Sequence, residues 1–444
     1  MKKAHLAPSK EGMRKIPSPL LLSVAISLLA LSALPVLSQG NRAEEPDLPS
    51  SGVVIDIDAP DHALYKIAVP NLRGSDALGP QAASVVRNDL HLSSLFELLD
   101  TSRFRGDLEQ EGLNIRRGPW QAMGAQAVIK GEIRETDSGL EIEMRLYELS
   151  EGTTPVYTEI YRGSPGELRG FMHAFDNEVL RHLFGEPGHF DTRITYARRI
   201  GPGRKDVYLS DYDGFNNQRV SSGRGVAMLP SFGEGRVWYS RLTQLGMFIT
   251  NDSEEERAII SGDGLNMSPT LCNGRVYFTS TRDGNSEIYS ARRDGTGVRR
   301  LTQHPAIDVS PSCGPNGQLA FVSNRHGTPQ VWVMNADGSN PQRVTFRGSH
   351  NQTPAWCPDP NRPLIAFTGR ANGLDIFTVN VQTQSYVRVT QGNGANKDPA
   401  FSPDCRMLAY SSTRQGGGIY ISSPFGFNPN RVLEGAAETI RWSR

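Results

Sequence analysis

The chain has 444 residues, 37% of them hydrophobic, with 47 basic against 47 acidic side chains. Its length suggests two or three domains. The first 38 residues hold five basic residues and one acidic, so residues 39–444 carry 42 basic against 46 acidic; a mildly acidic protein without a basic run excludes nucleic acid as a partner.

Lys2, Lys3, Lys10, Arg14 and Lys15 precede an apolar run from Leu20 to Leu34, and Val36-Leu37-Ser38 follows after Pro35. This is the pattern of a signal peptide over residues 1–38, cleaved near Ser38. The run is broken by Ser23, Ser27 and Ser32 and falls short of the roughly 20 residues that span a bilayer. An exported, soluble mature chain is expected, and no Cys near residue 39 offers a lipid attachment site. Residues 39–51 (QGNRAEEPDLPSS) are polar with two prolines and read as a flexible leader.

An α/β domain is expected over 52–186. Val53, Ile55 and Ile57 alternate with Val54, Asp56 and Asp58 as in a strand, and a second strand covers Tyr65–Asn71. Ala82, Val85, Val86, Leu90 and Leu92 predict a helix within 76–92, and Phe96–Leu99 a further strand. Three alternating runs come next, Gln126–Glu135, Leu140–Leu149 and Pro155–Arg162. Phe171, Phe175, Val179, Leu180, Leu183 and Phe184 then mark a helix from Leu168 that stops before Gly185 and Pro187.

The remainder, 187–444, is built from one repeat. Ser310–Phe346 holds four short apolar runs separated by Asn316-Gly317, His326-Gly327 and Asp337-Gly338, an antiparallel meander. Related units begin at Ser268, Thr353 and Asp398, with a degenerate one near Leu229. Their marker prolines (Pro230, Pro269, Pro311, Pro354, Pro399) lie 39, 42, 43 and 45 residues apart. Such a period with four strands per unit is that of propeller blades. Asp191–Gly225 supplies the second, third and fourth strands of one more blade, and Glu438–Arg444 (ETIRWSR) resembles the opening of a blade. A six-bladed all-β propeller is expected, with 438–444 as the innermost strand of the first blade, which removes the open edges.

No GxSxG or HExxH occurs, and the nine histidines lack partners at ligand spacing. No catalytic residue, cofactor or metal is expected, and the chain reads as a binder rather than an enzyme. Cys272, Cys313, Cys357 and Cys405 each lie near the junction of a blade's first and second strands. Adjacent blades place these junctions on one face, which favours Cys272 with Cys313 and Cys357 with Cys405. Four free buried thiols are the alternative, and metal binding is disfavoured because no CxxC spacing occurs.

Strand direction places the loops between blades on the same face as the loops joining second and third strands. Ser268, Ser310, Thr353 and Asp398 therefore share a face with Arg282, Asn285, Arg325, His326, Arg370, Asn372 and Arg414. As a group they form a candidate protein-docking ring; individually, the arginines could instead bond carbonyls at blade junctions. The opposite face holds the tight Asn-Gly and Asp-Gly turns.

An α/β domain followed by blades reading SPxxxPNGxxxAFxSxRxGxxxVxxMNADGxxxxRxT, with Ser210-Asp211-Tyr212-Asp213-Gly214 in the first blade and a signal peptide, resembles the TolB family of the Tol-Pal system. Cys272 and Cys313 interrupt the usual WSPDG turn in two blades, and the second blade matches poorly. The resemblance implies a monomeric, non-enzymatic periplasmic adaptor serving outer-membrane integrity and cell division. It implies that the propeller ring holds the Pal lipoprotein. The segment Val53, Val54, Ile55, Asp56, Ile57 would be presented to the C-terminal domain of TolA by strand addition; a fixed edge strand is the other reading of that segment. The alternatives are a propeller that captures peptides or glycans in its channel, and an exported peptidase.

Overall fold

A computed structural model describes residues 64–104, 111–223, 225–253 and 255–443. The signal peptide, the leader and the segment Val53–Ile57 lie outside the described residues.

The first domain is a five-stranded sheet with helices on both faces. Its strands are β1 (Tyr65–Ala68), β2 (Phe96–Leu98), β3 (Ala127–Thr136), β4 (Gly139–Glu148) and β5 (Tyr157–Gly163), in the order β2-β1-β3-β4-β5. β1 runs parallel to both neighbours, and β3, β4 and β5 form an antiparallel meander. Helices α1 (Leu78–Leu92) and α3 (Leu168–Phe184) bury their apolar stripes on one face. Gly185 ends α3 at φ 82°, a left-handed position that glycine adopts without a Cβ clash. On the other face the short helix α2 (Arg117–Ala122) inserts Trp120 among Ala68, Phe104, Ile115, Val128 and Tyr147. This helix carries glycine and proline in six residues, which conceals it from periodicity; the fully buried Trp120 holds it in place.

The second domain is a ring of six blades. The innermost strands of blades two to six are Val226–Gly233, Asn266–Cys272, Asp308–Cys313, Asn351–Trp356 and Asn396–Phe401. In the first blade that place is taken by Glu438–Trp442, which pairs antiparallel with Arg193–Gly201 through Glu438↔Ala197, Arg441↔Thr195 and Trp442↔Ile194. Among the described residues the second blade has no regular fourth strand, and the bridge Ile249↔Ile260 stands there.

Each innermost strand is bulged at one equivalent position. Leu229, Ser268, Ser310, Thr353, Asp398 and Thr439 have φ between 50° and 58°, and the pairing register shifts there in all six blades. The bulge frees a backbone N–H, which turns to a hydroxyl of the preceding blade: Ser268 N donates to Ser240 Oγ, Ser310 N to Thr279 Oγ1 and Asp398 N to Thr368 Oγ1. Between blades five and six the buried Asp375 accepts from Arg388, Thr390 Oγ1 and Asn396 Nδ2, so a carboxylate without solvent is fully met.

Two disulfides cross-link neighbouring blades, Cys272–Cys313 between blades three and four and Cys357–Cys405 between five and six. They close loops of 41 and 48 residues. Replacing Cys357 and Cys405 together by Ser is expected to lower unfolding stability by about 2–4 kcal/mol. A shift in the urea midpoint corresponding to less than about 0.5 kcal/mol would show that the cross-link constrains nothing the fold does not already hold.

Candidate functional site

The two domains meet at a buried polar joint. The loop between the third and fourth strands of the first blade carries Tyr212 and Asp213, which enter the space between α1 and α3. Tyr212 donates to Asp89 Oδ1 at 2.6 Å, and His173 Nδ1 lies 2.6 Å from Asp89 Oδ2. Asp213 accepts from Asn88 Nδ2 and is paired with Arg169, whose guanidinium also covers the Phe215 ring. Asp89, Asp176 and Tyr212 are fully buried.

Electrostatics make this joint sensitive to protonation. Burial drives the Asp89 carboxyl up, against the hydrogen bonds and charge of His173 that pull it down. Asp176 is pushed up further, by burial and by the adjacent Asp89, and neither of its oxygens has a donor elsewhere. A proton on Asp176 shared with Asp89 satisfies both. Burial lowers the His173 imidazole, but its bond to Asp89 and the charges of Asp89 and Asp213 outweigh that and hold it raised. Asp89, His173 and Asp213 lie close enough to hold a cation in common. Their carboxylates, however, are already met by Tyr212, His173 and Arg169, which is the arrangement of a structural joint.

Around this joint, His91 accepts from Asn428 at its backbone carbonyl and contacts Asn430 through its ring, while Glu186 pairs with Arg362 and Arg406. These propeller residues sit in first-to-second or third-to-fourth strand turns, or, for Asn430, at the start of the fourth strand. The α/β domain thus stands on the turn-rich face, and the face predicted for docking lies away from these contacts.

The predicted ring residues divide into two groups. Ser268, Ser310, Thr353 and Asp398 are the bulge residues; the N–H groups of Ser268, Ser310 and Asp398 stitch blades together, Thr353 Oγ1 bonds Thr368 Oγ1 of its own blade, and Asp398 also accepts from Thr439 N, linking the sixth blade to the closing strand. Arg282, Arg325 and Arg414 lie on aromatic rings of their own blades, Tyr289, Trp332 and Tyr420. Arg325 is also 2.8 Å from the buried Asp308, and Arg282 donates to Asn266. Asn285 clamps the loop to the next blade through the carbonyls of His304 and Ala306. Arg370, Asn372 and His326 are exposed. Sequence reasoning missed two exposed apolar side chains on this face, Leu245 and Phe346, which are 100% and 49% exposed. Both stand in loops of the kind assigned to that face, so loop position combined with hydrophobicity would have found them.

It missed the joint as well, although a signal was present. Asp89 falls among Val85, Val86 and Leu90, and His173 and Asp176 among Met172, Phe175 and Val179, each a polar residue in an apolar helical stripe.

An α/β domain locked by a buried polar joint onto one face of a closed six-bladed β-propeller defines a two-domain propeller protein. Two family models match, the TolB amino-terminal domain over residues 53–154 and the TolB beta propeller domain over 180–373. The chain is 34% identical over 302 residues to the Tol-Pal system protein TolB of Anaeromyxobacter dehalogenans (strain 2CP-C), covering 65% of this chain and 67% of that one. The same figures hold for the protein of that name from Anaeromyxobacter sp. (strain K). The crystal structure of TolB from Acinetobacter baumannii superposes with a TM-score of 0.74 at 24% identity, covering 85% of this chain and 96% of that one. The chain belongs to the TolB family of Tol-Pal system proteins.

Proposed function

We propose that this protein is a non-enzymatic periplasmic adaptor of the Tol-Pal system, holding the Pal lipoprotein on the propeller and the C-terminal domain of TolA through Val53–Ile57, in support of outer-membrane integrity and cell division. The observation that carries this is the division of the propeller faces. One is taken up by the α/β domain, and the other presents Leu245, Phe346, Arg370 and His326 above the self-contained arginines Arg282, Arg325 and Arg414. Exposed apolar anchors among cations and amides are the composition of a protein-docking surface. Membership of the TolB family supports Pal and TolA as the partners.

Phe346→Ala with Arg370→Ala is expected to weaken Pal roughly tenfold or more in a calorimetric titration, with the melting temperature unchanged. Arg325→Ala and Asp398→Ala are also expected to weaken Pal. They are poorer tests, because they strand Asp308 and the closing strand's Thr439 N–H. Deleting residues 39–58 should abolish TolA binding and leave Pal binding in place. Unchanged Pal affinity in the double variant would remove this face from the site.

A further inference from the structure

On the α/β side, the channel of the propeller opens into a cavity of about 600 Å³. Its wall includes six equivalent residues, each two places past the bulge of its innermost strand: Ser231, Thr270, Ser312, Ala355, Ala400 and Arg441. Five of the six are small. The sixth places a guanidinium where the other blades leave space.

That guanidinium is short of partners. Arg441 donates from Nη1 to the carbonyl of Ile440 at 2.8 Å, and among the described residues no carboxylate comes within ion-pair distance of it. Burial pushes its pKa down, with only the more distant Asp398 opposing. The acids at the cavity rim are engaged elsewhere: Glu234 with Arg293, and Asp191 with Asn177. A half-buried guanidinium that faces a cavity without a counter-charge is a ready partner for an anion. Phe232, Trp356, Phe401 and Trp442 also line the cavity, each presenting the edge of a side chain that packs mainly into its blade.

We infer that this cavity is a binding site for a carboxylate on an apolar body, with Arg441 taking the carboxylate, Ser231 and Ser312 adding hydroxyl donors, and the aromatic wall taking the body. Its volume suits a ligand the size of one or two amino-acid residues. The chemistry is shared by a small organic acid and by the carboxy-terminal residue of a peptide. The site is separate from the docking face proposed above and does not depend on it.

The test is titration of the purified mature protein with N-acetyl-L-tryptophan and with its uncharged amide. The acid is expected to bind at least tenfold tighter than the amide, and Arg441→Gln to abolish that ratio. Arg441→Lys, which keeps a point charge but loses the fork, should retain part of it. In the absence of ligand, Arg441→Gln is expected to melt no lower than the parent, because the guanidinium there is unpaired. A tetrapeptide ending in the same residue distinguishes the sources: tighter binding than the single acid assigns the site to polypeptide ends, weaker binding to small acids. Equal affinity for acid and amide, no binding of either, a ratio unchanged in Arg441→Gln, or a marked loss of melting temperature in that variant would each overturn the assignment.

Discussion

Removing residues 438–444 is expected to unfold the propeller rather than trim it. Ile440 is fully buried and Trp442 nearly so, and both belong to the hydrophobic core shared by the first blade, the sixth blade and the α/β domain. Truncating a buried Ile costs about 2–5 kcal/mol and a buried Trp about 3–5, so their joint loss is comparable to the whole stability of a typical domain. The deletion also removes the bond from Thr439 N to Asp398 that ties the sixth blade to the first, and exposes the edge of Arg193–Gly201. An exposed edge of that length pairs with other chains. The expected result is loss of the cooperative urea transition and recovery mainly as aggregate. Trp442→Phe, which keeps an aromatic ring against Tyr212 but gives up the indole N–H bond to Thr192, should fold with a loss of about 1–3 kcal/mol. A truncated protein that stays monodisperse and melts within about 2 °C of the parent would show that the ring holds without its closing strand.

How much of this was readable in advance depends on whether a feature repeats. The blades were legible because proline, the Asn-Gly and Asp-Gly turns and the aromatic alternation recur at one period; closure was legible because one blade lacked a first strand and the chain's last residues resembled one. The bulge at Ser268, Ser310, Thr353 and Asp398 was visible as a repeated polar residue before proline, but its consequence was not. Positive φ turns Ser268, Ser310 and Asp398 into stitches between blades, whereas periodicity alone suggested a surface ring. The packing of Arg282 and Arg325 was hidden for a related reason. Loop position indicates where a side chain starts, not that it folds back onto Tyr289 or Trp332. The joint was hard to read because its members come from two helices and a loop as much as 123 residues apart, as in the pair Tyr212 and Asp89. Only a tertiary contact gives a buried acid in a helical stripe its meaning.

Replacing Asp213 by Ala is expected to loosen the α/β domain from the propeller at a cost of about 3–5 kcal/mol, because Arg169 is left largely buried without its anion. Tyr212→Phe should cost less, about 1–3 kcal/mol, by leaving Asp89 Oδ1 without the phenol donor. The joint should also respond to pH in a fixed direction. His173, Asp89 and Asp176 all have their folded-state values raised, and Asn88, Arg169, Tyr212 and Asp213 are the other polar groups facing them. A raised folded value contributes stability that is complete below the unfolded value and is lost as pH climbs through the folded one. The His173 contribution is therefore full below about pH 6.5 and fades above it. The two carboxyls act in the same sense: above about pH 4 the unfolded chain has released protons that the joint retains. Cleavage of the linker after Gly185 by a protease active across the range should thus be slower at pH 6 than at pH 9. Asp176→Asn, which mimics the protonated acid, is expected to flatten that dependence and to protect the linker at high pH, while His173→Gln should flatten it from the other side. Faster cleavage at pH 6, or a slope unchanged in both variants, would place the pH response elsewhere in the molecule.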